Sequence, residues 1–176
     1  MSTQSNFKSN DILAFNLQGL YRVDSIDSLN MGGNGPTDYY ILSQVSGRFT
    51  HKTYVKVDRA GVEGLRPVIC SKDLKEAKTK FNKFLVEEMN IKLNCVEKIS
   101  FCTKMMISEG FVGSLQAYLT SSLELKKKKE DKKIKEFSIK LRNQIIEEIA
   151  LSESISVDEA RAEFESIIKL KEPLQG

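Results

Sequence analysis

Gly64-Leu65-Arg66-Pro67-Val68-Ile69-Cys70-Ser71-Lys72-Asp73-Leu74 divides the chain into two textures. Pro67 is the last proline before Pro173, and an uninterrupted proline-free run is what long helices require. Upstream the signals are those of strands. Ile12-Leu13-Ala14-Phe15 is a short apolar run, and Asn16-Leu17-Gln18-Gly19 reads as a turn. Residues 20–26 nearly alternate, which predicts Tyr21, Val23 and Ser25 on one face. Asp38-Tyr39-Tyr40-Ile41-Leu42 and Thr53-Tyr54-Val55-Lys56-Val57 are rich in aromatic and β-branched residues, as strands prefer. Turn residues separate them at Gly32-Gly33-Asn34-Gly35-Pro36 and at Ser46-Gly47. Short strands joined by tight turns predict a small barrel or a strongly bent sheet.

Downstream, apolar residues recur at helical spacing. Leu74, Ala77, Phe81 and Phe84/Leu85 mark one face of a helix that Ser71 is placed to cap. A second helix spans roughly 95–106 and reads as well buried. Gly110 and Gly113 interrupt before a third built on Leu115, Tyr118, Leu119 and Leu123. Ile134, Phe137, Leu141, Ile145 and Ile149 keep one stripe on a fourth. Ser156-Val157-Asp158-Glu159 is a capping box that opens a last helix, with Ala160, Phe164 and Ile167/Ile168 inward. The boundary between strands and helices falls near residue 70.

At 176 residues, with 40% hydrophobic and 29% charged content, the chain can build one or two modest cores. No apolar run approaches the roughly 20 residues that span a bilayer, so no membrane partner is expected. Residues 1–6 are polar and lack a signal-peptide pattern, which points to the cytosol. Cys70, Cys95 and Cys102 are odd in number and irregular in spacing, and read as small apolar fillers. With His51 the one histidine, no zinc set forms, and no metal or cofactor is expected. His51 has no nucleophile that spacing would nominate and reads as a surface residue. The glycines at 32–35 lack the Lys-Ser/Thr ending of a phosphate loop. The acid pairs Glu87-Glu88 and Glu147-Glu148 read as solvated helix faces. No catalytic constellation appears, so the chain is not read as an enzyme.

The strongly biased segment is Lys126-Lys127-Lys128-Lys129-Glu130-Asp131-Lys132-Lys133-Ile134-Lys135. Its seven lysines and two acids give +5, leaving −2 for the rest of a chain whose total is +3. Lysines this dense repel one another, and phosphate relieves the repulsion. Lysine is a mobile point charge suited to backbone contact and poorly suited to reading bases. Salt-sensitive, sequence-tolerant DNA binding is one reading. A solvated connection between helices is the other.

The segment from Val55 through Gly64-Leu65-Arg66-Pro67-Val68 resembles the end of the RNA-polymerase-interacting domain shared by CarD/CdnL regulators and the transcription-repair coupling factor. Asn10-Asp11-Ile12 with Gly19 resembles the opening strand and first turn, and Asp38-Tyr39-Tyr40-Ile41-Leu42 the middle strand. Ile149-Ala150-Leu151-Ser152-Glu153-Ser154, followed by Asp158-Glu159-Ala160, is similar to the join of the last two helices in CarD proteins, which repair coupling factors lack. The resemblance implies an α+β protein: a small N-terminal Tudor/SH3-like antiparallel β-barrel over 1–70, then an all-helical domain over 71–176. It implies a monomer whose barrel docks edge strand to edge strand on the RNA polymerase β subunit. Lys52, Tyr54, Val55 and Lys56 are the residues carried over for that contact. Tyr54 stands where some members place an arginine, Lys56 where a proline is usual, and Leu29 where certain members have a second basic contact. The helical domain would contact double-stranded promoter DNA and modulate open-complex stability. Relatives wedge a tryptophan into the minor groove there; this chain has none, and Phe101 is the nearest aromatic. The DNA-contact set is Lys98, Phe101, Lys126, Lys127, Lys128, Lys129, Lys132 and Lys133. A competing reading is an architectural DNA-binding protein with no polymerase contact.

Overall fold

The computed structural model describes residues 7–31, 33, 35–46, 51–83, 94–127 and 131–169. It divides into two compact units, Met1–Val68 and Ile69–Gly176. The architecture is α+β, an antiparallel sheet followed by helices.

The first unit holds β1 (Ile12–Phe15), β2 (Gly19–Leu29), β3 (Thr37–Gln44), β4 (Lys52–Lys56) and β5 (Leu65–Pro67). They form one five-stranded sheet in the order β4-β3-β2-β1-β5, with every pairing antiparallel. Its inner face carries Leu13, Phe15, Tyr21, Val23, Tyr40, Leu42, Val55 and Leu65, which cluster with Phe7 and Ala60 as a core. The pairing Val23–Leu42 is followed by Ser25–Ile41, so Asp24 is the extra residue of a β-bulge. The bulge moves Ser25 to the outer face, away from Tyr21 and Val23. Simple alternation does not carry through it. Gly64 brings the chain back into β5 with φ at 84°, where a Cβ would lie 2.0 Å from Oδ1 of Asn16. Asn16 in turn donates from Nδ2 to the Glu63 carbonyl, tying the return to the turn between β1 and β2.

The second unit holds α1 (Ser71–Lys83), α2 (Cys95–Lys127), α3 (Lys132–Glu153) and α4 (Val157–Lys169). The N-cap of α1 is Cys70, whose carbonyl accepts from Leu74 N at 2.9 Å; Ser71 is the first helical residue instead. Helix α2 breaks at Gly110 (φ 60°, ψ −127°) into arms 95–109 and 111–127. The arms run back along each other. A Cβ on Gly113 would stand 2.1 Å from the Met105 carbonyl oxygen, and the Cys102 thiol contacts the Ala117 carbonyl at 3.8 Å. Gly113 therefore belongs to the packing of the second arm on the first. The stretch 95–106, expected to be well buried, is amphipathic instead: Cys102 and Met106 are buried while Val96 is exposed.

In α3 the stripe Ile134, Phe137, Leu141, Ile145 and Ile149 is buried throughout. Its turn into α4 uses Ser154 in the left-handed conformation, with its N–H bonded back to Ala150 and Leu151 carbonyls. The capping box closes α4: Ser156 N donates to Glu159 Oε2 at 2.9 Å, and Glu159 N donates to Ser156 Oγ at 3.2 Å. A second reciprocal box opens α2, between Asn94 and Glu97. Glu148 is not on a solvated face. It is 0% exposed and accepts from Ile69 N at 3.0 Å. Glu87 and Glu88 lie outside the described residues.

Gly113→Ala should lower unfolding free energy by about 1–3 kcal/mol, because the new methyl meets backbone that cannot swing aside. Urea denaturation of the full chain measures it, and an unchanged midpoint would contradict the tight pairing of the two arms.

Candidate functional site

Strand β4 lies at one end of the sheet and pairs with β3 alone among the described residues. Its register sets Lys52 beside Ser43, Tyr54 beside Ile41 and Lys56 beside Tyr39. Successive side chains on a strand face opposite ways. Val55 accordingly enters the core at 2% exposure, whereas Tyr54 on the outer face is 43% exposed. Lys52 and Lys56 share that outer face and are exposed. Val55 can offer a partner only its backbone.

Asp24, which the sequence did not single out, organises this face. Two residues on from Arg22, it shares the outer face with Ser43 and Lys52, and its carboxylate reaches across β3 toward β4. Lys52 Nζ donates to Oδ2 at 2.5 Å, Ser43 Oγ donates to Oδ1 at 2.9 Å, and Arg22 Nε donates to Oδ1 at 3.3 Å. The Lys52 ammonium, foremost, holds the Asp24 carboxyl below the usual carboxylate range, with Ser43 and Arg22 adding to it against the opposing effect of burial. Lys52 is thus a fixed cation, lying over the sheet. The available signal was an acid inside an otherwise alternating strand, flanked by Arg22.

A second cluster forms at one end of the helical unit. Cys95, the first residue of α2, donates to the carboxylate of Asp131, the N-cap of α3. That bond leads the causes that keep the Asp131 carboxyl low, with backbone N–H groups of Lys133 and Ile134 contributing. Burial, then Asp131, pushes the Cys95 thiol up. Lys98 lies one turn further along and borders a small recess with Cys102, Thr120, Ser121, Ile134 and Phe137. The hairpin of α2 returns Lys126 and Lys127 to this same end, where they close the helix. Lys132 and Lys133 are exposed in the first turn of α3, with Lys132 4.0 Å from Glu136. Lys128 and Lys129 lie outside the described residues. Lys98 and the first turn of α3, with Lys132 and Lys133, therefore lie at the same end of the unit. Phe101 is half-buried on the first arm of α2.

The three thiols differ. Cys102 is a buried filler, its thiol pushed up to about 11 by burial, whereas Cys70 is exposed and Cys95 only partly covered. The filler reading fails for Cys70 because an N-cap position sits at the surface. His51 is exposed. Among the described residues no helix is long and apolar enough to cross a membrane, and no group of acids, cysteines and histidine is placed to hold a metal ion. Compared with known proteins, the chain matches no family model and no curated sequence.

Two outcomes check this geometry. Because the folded pKa of Asp24 is depressed, its contribution to stability is present above the ordinary carboxylate range and is lost as pH falls through the folded value. Asp24→Asn should therefore remove part of the acid sensitivity of folding below about pH 4; an identical acid-denaturation profile would show that the carboxylate is not held. Alkylation followed by mass spectrometry should label Cys70 first and Cys102 last, since the thiolate is the reactive form. Faster labelling of Cys102 would contradict its burial.

Proposed function

We propose that this chain is a CarD-type transcription regulator, with its sheet a Tudor-like barrel that docks through β4 on the RNA polymerase β subunit. Its lysine-rich end, formed by α2 and α3, contacts the backbone of promoter DNA. The observation that carries this reading is the position of β4. It is a terminal strand with one hydrogen-bonded neighbour among the described residues, and its outer face presents Lys52, Tyr54 and Lys56. Unpaired backbone groups along such an edge accept a foreign strand, and adjacent side chains choose which.

The placement of Lys98, Lys132 and Lys133 at one end of the helical unit, where the backbone of residues 126 and 127 also ends α2, supports the DNA half of the reading. A grouped set of ammonium ions attracts closely spaced phosphates and releases their counterions. The segment supplies point charges in place of the planar forks that read base edges, so contact there positions the protein and tolerates sequence. DNA would be selected by the polymerase already bound to it.

Capture of the β subunit by the full chain should fall about tenfold for Tyr54→Ala, while DNA binding is unchanged. Lys132→Glu together with Lys133→Glu should do the reverse, lowering the slope of log affinity against log salt by about 0.9 for each phosphate no longer neutralised. Absence of β-subunit capture by the unaltered chain sinks the regulator reading, and retained DNA binding in that case leaves an architectural DNA-binding protein.

A further inference from the structure

We infer that the open edge of β4 selects an acidic extended segment of a particular pattern, acid–x–apolar–x–acid, in its protein partner. This rests on the strand-docking reading above and adds the partner's chemistry to it. The outer face of β4 reads cation, aromatic, cation at two-residue spacing: Lys52, Tyr54, Lys56. A strand added alongside continues the pleat, so three of its alternate residues fall beside these three. Opposite charges in such positions attract and like charges repel. Tyr54, half exposed with Ile41 beside it on β3, offers an apolar surface to the middle residue. The intervening residues fall on the Thr53 and Val55 side, where the buried Val55 favours a β-branched neighbour.

The two cations are not equivalent. Lys56 forms no ion pair among the described residues and is exposed, so its charge is free for a partner carboxylate. Lys52 is held by Asp24, but Arg22 shares the same carboxylate, which leaves two cations against one acid. A partner acid arriving there has to draw the ammonium away from Asp24, which lies two strands inward from the open edge, so this position adds less than the one beside Lys56. The pattern thus has a strict position beside Lys56 and a weaker one beside Lys52. The ordered spacing also separates this edge from a general basic patch, since a phosphate backbone would not need an apolar group between its charges.

The test uses the full chain and labelled twelve-residue peptides centred on Glu-Val-Phe-Val-Glu, which reads alike in either strand direction. Lys-Val-Phe-Val-Lys reverses the charges, and Val-Glu-Phe-Glu-Val keeps composition but shifts the acids by one place. The first peptide should bind about tenfold more tightly than the charge-reversed one, with the shifted one between them. Lys56→Glu, at an exposed position with no ion pair to lose, should narrow the preference to about threefold. Equal affinities, no binding of any peptide, or a preference that Lys56→Glu leaves intact would overturn the inference. Capture of the β subunit is measured in parallel. Capture without a peptide preference removes the acidic pattern and keeps the docking; a peptide preference without capture keeps the pattern and removes polymerase as its bearer.

Discussion

Among the described residues strand β4 has a hydrogen-bonding neighbour on one side only, and half of its backbone N–H and C=O groups turn away from the sheet. Those groups are strong donors and acceptors that either bond water or bond another strand. An edge of this kind is a hazard as well as an opportunity, because a second copy of the same chain could add to it. Here the strand is five residues long and is bracketed on one face by Lys52 and Lys56. Two copies meeting edge to edge would set lysine against lysine, which disfavours self-pairing. In the proposed reading the same charges admit a complementary acidic strand, so that protection against self-association and selection of a partner come from one arrangement. Asp24 completes it from two strands away, its carboxylate bonded to Lys52 across β3.

The helical unit depends on two close approaches. The arms of α2 meet where Gly113 has no side chain, and this reversal brings both ends of α2 to the N-terminus of α3. Glu148 supplies the other. A carboxylate at 0% exposure is costly unless its lone pairs are taken up, and the backbone N–H of Ile69, just before α1, takes up one of them. The N-terminal end of a helix also favours negative charge nearby. A polar anchor of this sort specifies one docking of the segment before α1 on α3, where apolar packing alone would tolerate neighbouring registers.

Much of this was legible in the sequence. The change of texture at Ser71, the α3 stripe and the Ser156–Glu159 box were readable because periodicity and capping are local properties. The edge position of β4 was expected from a family resemblance and is observed as strand order. Three features resisted. The bulge at Asp24 was invisible because alternation through Tyr21, Val23 and Ser25 reads as continuous until a partner strand shows the extra residue. Burial of Glu148 was missed because its type predicts solvent, and only the tertiary partner Ile69 explains it. The reversal of α2 was half seen: Gly110 marks the break, but Gly113, read as a second interruption, is a packing residue within the second arm. The Asn94–Glu97 box was readable by the rule applied to Ser156 and was not noticed.

The lysine-rich end is arranged against local helix energetics, and that bears on what it does. Lys132 and Lys133 stand at the positive end of the α3 dipole. Asp131 offsets part of this by capping α3, with the Cys95 thiol bonded to the same carboxylate. A sequence selected only for helix stability would carry acids at those positions. Cations crowded at a helix N-terminus are relieved by an external anion, and a polyanion relieves several at once. The segment from 126 to 135 holds no arginine, asparagine or glutamine, the side chains that read base edges by paired hydrogen bonds. In the proposed reading, selectivity therefore has to enter through the β4 edge, and tethering there raises the effective concentration of weak, unselective charge at one stretch of DNA.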